Sequence, residues 1–369
     1  MALESLHNPQ EDYIKGQSSF STYYGAGFNA WIGSLAALSN TTMYQYRADV
    51  ADTINMLGHP IDVNTTSIPV SSGWNWVGYL PQAALPVNTA LASLVPLNGD
   101  VIKSQTSFAQ YVAGFGWLGN LAYMEAPNGY LLKLSNSGTL RYPDNSVIAP
   151  LVAERSAPIS THWTVDPTQF EHSMTLIGML SADGLNVTAP DFELGTFVNG
   201  QLRGAAQAIY VAPLNAYLFF LTAYANQSGE LLSFRLYDGT VVQNLNETLY
   251  FSADAQLGAV EYPQPFTRKT SGSTADDSRF VPYFEVYPNP FNEQAYFNFS
   301  AEVAGDAVVT VSDALGAVQA RVRIQAQAGL NAFVWDGRSE GGALLPTGVY
   351  FVQLKVGQSL QSRKVVIQR

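Results

Sequence analysis

The chain is 369 residues long with a formal net charge of −11 and a pI near 4.7. At roughly 100–200 residues per domain it holds two to four domains, and its acidic balance excludes a nucleic-acid binder, since no basic stripe is present to neutralise phosphates. Charged residues make up only 13%, about half the usual ~25%, and aromatic, Gly, Thr and Asn residues fill the gap, so an all-β multidomain chain is expected.

Cysteine is absent, which removes disulfides, thiolate nucleophiles and Cys-ligated metals. No apolar run approaches the ~20 residues of a membrane span, so no transmembrane segment is expected. The first residues, MALESLHNPQEDY, lack the basic start and apolar core of a signal peptide.

In chain order the first feature is a repeat. Leu3–Tyr24 aligns with Leu91–Val112 at an offset of 88, with ten of 22 positions identical. These include Asp12/Asp100, Ile14/Ile102, Lys15/Lys103, Gln17/Gln105, Phe20/Phe108 and Tyr23/Tyr111. Trp31-Ile-Gly33 then matches Trp117-Leu-Gly119, and Tyr44–Arg47 matches Tyr130–Lys133. Residues 1–57 are read as an incomplete β-rich repeat and 58–150 as a complete one, whose additional upstream half carries Gly73–Leu80. The half-repeat implies that Met1 is a late or miscalled start, with more repeats and a signal peptide upstream. Gly73–Leu80 reads as a strand, and Asn88–Leu94 as a short helix with Asn88 as N-cap. Tyr130–Leu134 and Thr139–Tyr142 read as a hairpin about Asn136-Ser-Gly138. Lys15/Lys103 and Asp12/Asp100 fit a turn and strand edge better than a ligand-binding pair.

Residues 151–265 read as a β-sandwich module. Its expected strands are Met174–Leu180, Phe192–Val198, Gln201–Val211, Tyr217–Ala223, Glu230–Tyr237 and Thr248–Phe251. Asn199-Gly200 is a strong hairpin signal, and Ser228-Gly229 is expected to join two further strands in the same way. Gly195–Gly204 resembles a hairpin common in secreted Bacteroidetes surface proteins. Arg203, within it, is expected to pair with Asp191 or Glu193.

Residues 266–283 are rich in Ser, Thr, Pro, Gly and mixed charge, and read as a flexible linker open to cleavage at Arg268, Lys269 and Arg279. Residues 284–369 carry seven short strand patterns, enough for an immunoglobulin-like sandwich.

Within this last segment stand Tyr287-Pro288-Asn289-Pro290-Phe291, Trp335-Asp336-Gly337, Gly348 and Tyr350 of PTGVY, and the terminal Lys364-Val365-Val366 with Arg369. Together, in that order and ending at the last residue, they resemble the type A C-terminal sorting domain of the Bacteroidetes type IX (Por) secretion system. Ala314–Val356 also resembles the Ig-like domain of flagellar hook-capping proteins. The first resemblance implies export through the periplasm to the outer cell surface or beyond. It implies the type IX translocon and sorting machinery as partners, and surface lipopolysaccharide or glycans as possible ones.

No HExxH, Gly-x-Ser-x-Gly or Walker pattern occurs. His162, Asp166, Glu171 and His172 are spaced unlike known metal-ligand sets. Neither catalytic residues, metal ligands nor a cofactor are therefore assigned. Trp31, Trp74, Trp76 and Trp117 are candidates for sugar stacking, and core packing is the simpler expectation. The expected function is a secreted or surface, non-enzymatic protein for adhesion or interaction. The alternative is an accessory or carbohydrate-binding C-terminal part of a larger secreted hydrolase.

Overall fold

A computed structural model describes residues 11–25, 29–51, 53–54, 59, 61–144, 161–180, 187, 190–267, 284–287, 289–301, 303–327 and 329–369. The chain is all-β and divides into two compact units, residues 1–158 and 159–369.

The first unit opens with β1 (Tyr13–Lys15), β2 (Phe20–Tyr24), β3 (Ala30–Gly33) and β4 (Gln45–Arg47). Then come β5 (Ile68–Val70), β6 (Gly73–Gly78), β7 (Leu85–Pro86), α1 (Val87–Ala90), β8 (Val101–Lys103) and β9 (Phe108–Val112). It ends with β10 (Gly116–Gly119), β11 (Tyr123–Met124), β12 (Gly129–Leu134) and β13 (Gly138–Leu140). The two principal sheets run β3-β2-β1-β4 and β10-β9-β8-β12-β6. The second is the first with β6 added, so the repeat seen in the residues is a repeat in space.

Its internal contacts repeat as well. Tyr23 meets Trp31 edge-on at 5.5 Å, and Tyr111 meets Trp117 edge-on at the same distance. A Cβ on Gly33 or Gly119 would lie 2.2 Å from the carbonyl of Phe20 or Phe108, which explains glycine at both positions. The half-repeat leans on β6 of the complete one. The Gln17 amide donates to the Trp74 carbonyl at 2.7 Å and accepts from the Trp76 N–H at 3.1 Å, while Gly78 N–H donates to Thr41.

Asp12 and Asp100 are both 3% exposed and hold turns together. Asp100 accepts from Leu97 N–H and Ser135 N–H at 2.8 Å each and from the Ser135 hydroxyl at 2.6 Å. Replacing Asp100 with Ala orphans two main-chain donors in a partly buried turn, so urea unfolding of the full chain is expected to show a loss of about 2 kcal/mol. An unchanged midpoint would count against this anchoring role.

Two local expectations are corrected here. β12 and β13 form no hairpin: β12 has β6 and β8 on its two sides, and β13 pairs β5. The Asp100–Ser135 bonds turn the chain away before a hairpin forms. Asn88 is not an N-cap either, since it lies inside α1, whose capping position is Pro86. Its amide instead accepts from Trp117 N–H at 2.7 Å and donates to the Trp117 carbonyl at 3.2 Å, occupying the edge of β10.

The second unit begins with β14 (His172–Leu180), β15 (Glu193–Val198), β16 (Gln201–Val211) and β17 (Ala216–Ala225). It continues through β18 (Leu231–Tyr237), β19 (Val242–Tyr250), β20 (Gln256–Leu257) and β21 (Gln264–Phe266). These form the expected sandwich, whose two faces share the eleven-residue β16. Its first part pairs β15, and its last four residues pair β17. β15 and β16 turn at Asn199-Gly200, both at positive φ (48° and 81°), as a two-residue hairpin requires.

Ser228-Gly229, however, joins no hairpin, because β17 pairs β14 and β16 whereas β18 pairs β15 and β19. Arg203 pairs neither Asp191 nor Glu193. Its partner is Glu230 at 2.8 Å, and its guanidinium lies 4.9 Å from the centre of the Phe170 ring. Glu193 is taken by the N–H groups of His162 and Trp163, at 2.7 and 3.1 Å.

The expected linker starts too early at 266. Phe266 is fully buried, and Thr267 accepts from Asn246 N–H at 3.0 Å, tying β19 to the end of β21. Residues 268–283 lie outside the described residues.

The C-terminal part comprises β22 (Phe284–Tyr287), β23 (Ala295–Ala301), β24 (Gly305–Asp313), β25 (Val318–Ala326), β26 (Gly329–Trp335), β27 (Gly348–Val356) and β28 (Ser359–Ile367). They form sheets β22-β23-β26 and β25-β24-β27-β28 around a core of Phe284, Phe291, Phe297, Phe299, Trp335, Val352, Val365 and Ile367. Tyr296 reaches from this sandwich to the preceding one. Its hydroxyl donates to the Ser228 carbonyl at 3.3 Å, and its ring lies 5.5 Å from Tyr250.

Candidate functional site

The residues singled out in 284–369 are far apart in the chain, and the fold gathers them at one end of the C-terminal sandwich. β22 delivers Tyr287, whose main chain pairs with Tyr296. Pro288 lies outside the described residues, and the exposed Pro290 follows Asn289. Asn289 then acts as a piece of strand: its amide donates to the Lys364 carbonyl and accepts from Val366 N–H, both at 2.8 Å. Phe291 continues the pairing with main-chain groups. Its N–H donates to Val366 at 3.0 Å, and its carbonyl accepts from Gln368 N–H at 2.8 Å. Asn289 and Phe291 therefore occupy the outer edge of β28.

The Phe291 side chain turns inward, 2% exposed, with its ring 5.7 Å from Trp335. Trp335 is 5% exposed, and its indole N–H donates to the Arg338 carbonyl at 3.0 Å. Asp336 pairs with the Arg338 guanidinium at 3.1 Å on the surface. Gly337 stands at φ 69°, where a Cβ would lie 2.7 Å from the Arg369 guanidinium and 3.2 Å from the Phe291 ring. Close approach and backbone conformation both require glycine there.

Arg369, the last residue, is tied down through both its side chain and its main chain. Its guanidinium donates to the carbonyls of Asn292 at 3.1 Å, of Asp336 and Gly337 at 3.4 Å each, and of Leu345. Its N–H donates to the Thr347 hydroxyl at 3.0 Å, and that hydroxyl donates to the Arg369 carbonyl at 3.3 Å. One cation thus neutralises carbonyls from several chain segments that otherwise face one another. Gly348 opens β27 opposite Ile367. Tyr350 is 4% exposed and donates to the Pro346 carbonyl at 2.9 Å. Burial, with the Asp313 charge beside it, raises the Tyr350 phenol above its ordinary range. Val365 is fully buried, while Lys364 is exposed. The Lys364–Arg369 tail is thus a paired strand with a locked end.

Beside Arg369 lies a shallow depression of about 450 Å³ lined by Asn292, Glu293, Asp336, Arg338, Leu344, Gln368 and Arg369. It is open to solvent, and its rim carries both signs of charge. Sequence reasoning missed Thr347, Asn292 and the Leu345 carbonyl. Asn292 and Leu345 act through main-chain oxygens, which leave no mark in residue identity, whereas Thr347, inside the PTGVY motif, acts through its hydroxyl.

The other candidates have structural partners. Trp117 is 5% exposed and belongs to the core. Trp31 is half-buried against Tyr23 and Tyr46. The Lys103 and Lys133 ammonium groups lie 5.1 and 5.7 Å from the centre of the Trp74 ring, and Lys15 lies 6.0 Å from that of Trp76. These rings therefore have protein cations beside them. His162 stacks on Tyr237 at 4.0 Å, and Asp166 accepts from the N–H and hydroxyl of Thr168 at 3.0 and 2.6 Å. Among the described residues no three His, Asp or Glu groups come together around a metal-sized space. Among them, too, no helix is long and apolar enough to cross a membrane.

Comparison with known proteins adds one family match. The model of the FlgD Ig-like domain matches residues 288–359, which agrees with the hook-capping resemblance. No curated protein matches the chain. Among solved structures, similarity is found to PorZ, described as an essential bacterial surface component of the type-IX secretion system of Porphyromonas gingivalis. That likeness is 18% identical and covers 23% of this chain and 11% of PorZ, with a TM-score of 0.18. Dimeric latent PorU from the same organism is 14% identical over 73% of this chain and 30% of PorU, with a TM-score of 0.21. The BSP domain of a biofilm associated protein is 14% identical over 48% of this chain and 24% of that one, with a TM-score of 0.19. The chain spans less than a third of the length of each.

Proposed function

We propose that this chain is a secreted or cell-surface, non-enzymatic protein whose residues 284–369 direct its export by type IX secretion. The preceding modules would serve adhesion or interaction outside the cell. One observation carries the reading: the separate sorting-type motifs form a single structural unit, with Asn289 and Phe291 on the β28 edge and Arg369 locking the end. A recognition module needs such a rigid, repeatable surface, because ordering a floppy tail at the moment of binding lowers affinity. The Ig-like family match over 288–359 supports the domain type. The lysines beside Trp74 and Trp76 favour this reading over the carbohydrate-binding alternative.

The test is a reporter bearing a cleavable signal peptide and fused to residues 268–369, expressed in a host with an active type IX system. The reporter is expected in the medium or on the outer surface, and in the periplasm when the type IX system is inactivated. Periplasmic retention in the competent host would overturn the assignment.

A further inference from the structure

The chain closes several of its sheet edges with side-chain amides. Gln17 covers β6, Asn88 covers β10, and Asn289 with Phe291 covers β28, each amide using one donor and one acceptor as a neighbouring strand would. An exposed edge invites pairing with another chain, so such closures protect the fold. β25 stands apart. It is nine residues long and pairs only β24 among the described strands. Glu340 N–H takes the Gln319 carbonyl at 3.0 Å, and beyond it no described strand covers the edge from Arg321 to Ala326.

The chemistry along β25 is specific. Arg321 and Arg323 project from the outer face, exposed and without an ion pair among the described residues. Val322 and Ile324 point the other way and are half-buried at the rim of the core. The registers extend the basic character across the sheet. Arg323, Val308, Lys355 and Leu360 form one cross-strand row, and Val318, Ser312, Phe351 and Lys364 form another. Between them, Arg321 heads the row of Thr310, Gln353 and Ser362. These rows contain four cations and no acid, in a protein of net charge −11. Among the described residues, acids stand only at the two ends of the strand: Asp306, in the next row with Gln325, at one end, and Asp313 and Glu340, beside Gln319, at the other.

We propose that β25 is a docking edge for an extended segment of a partner polypeptide in which Asp or Glu alternates with β-branched apolar residues. The partner main chain continues the ladder, its acids meet Arg321 and Arg323, and its apolar side chains extend the core over Val322 and Ile324. A second copy of this chain is the poorer occupant. Two β25 edges set side by side bring arginines against arginines, and like charges across strands repel. This surface is distinct from the β28 end and stands whether or not the export assignment holds.

The probe is the peptide acetyl-Gly-Glu-Val-Glu-Ile-Glu-Val-Gly-amide, labelled for fluorescence anisotropy and titrated with the full chain. Saturable binding is expected, with slowed amide exchange confined to β25. Arg321→Glu/Arg323→Glu is expected to weaken it at least tenfold, as is N-methylation of alternate peptide residues. Retained cooperative melting shows that the double variant is folded; should it unfold, the N-methylated peptide on the unaltered chain decides alone. Absence of saturable binding, equal binding of the N-methylated peptide, or self-association through β25 would each overturn the proposal.

Discussion

Phe291→Ala is expected to cost about 4 kcal/mol, the range for emptying a buried phenylalanine site. The ring is 2% exposed and contacts Trp335, so its removal leaves a void that the surrounding sheets fill only in part. The substitution removes none of the main-chain bonds from residue 291 to Val366 and Gln368. They lose the anchor that sets their register, however, and the β28 edge should then exchange amide protons faster. Differential scanning calorimetry of the full chain should show the transition of residues 159–369 fall by on the order of 10 °C. Asp336→Ala is the matched control: its side chain is 57% exposed, so the expected change is within about 0.5 kcal/mol. Equal effects of the two changes would refute the assignment of Phe291 as the keystone of this end.

The second large effect is a pH dependence centred on Glu247. Its side chain is fully buried on β19; one carboxyl oxygen accepts from the N–H and hydroxyl of Thr267 at 2.8 and 2.6 Å, and the other has no partner. Burial pushes this carboxyl up to about 7, against the opposing pull of the Thr267 bonds. A group whose folded value is raised stabilises the fold fully below its unfolded value near 4.5, and loses that contribution as pH rises through about 7. Between pH 4.5 and 8 the loss is on the order of 3 kcal/mol. Glu247→Gln keeps a carbonyl acceptor for Thr267 and cannot ionise. Relative to the unaltered chain it should gain stability at pH 8 and change little at pH 4.5. Parallel denaturant midpoints for the two proteins across that interval would exclude the buried-acid explanation.

How much the residues disclosed depends on the range of each interaction. Alternation and turn chemistry are local, so β16 and the Asn199-Gly200 turn were legible, as were the seven strands of the C-terminal sandwich. The repeat was legible because both copies make the same contacts, down to the Tyr–Trp pairs. Pairing between distant strands carries no local mark, which is why β12 and β13 looked like a hairpin about Asn136-Ser-Gly138, and why Ser228-Gly229 looked like the turn of a second one between β17 and β18. Glu247 was within reach: it alternates with Leu245 and Leu249, both buried, so extending the strand by six residues places an acid on the core face. The partner of Arg203 was not, because Glu230 reaches it across the sandwich topology. At the candidate site, motif resemblance marked the residues, and only the fold revealed that Asn289 imitates a strand and that Arg369 gathers carbonyls.

Tyr296, with the packing of β26 against β19 and β21, bears on the outcome of a cut in the chain between Thr267 and Phe284, where Arg268, Lys269 and Arg279 stand. Such a cut severs the covalent tether and leaves the tyrosine hydroxyl on Ser228 and its ring beside Tyr250. The nicked halves then form a two-part complex whose lifetime is set by dissociation. Shedding of the C-terminal part becomes a matter of dilution and off-rate, separable in time from proteolysis itself.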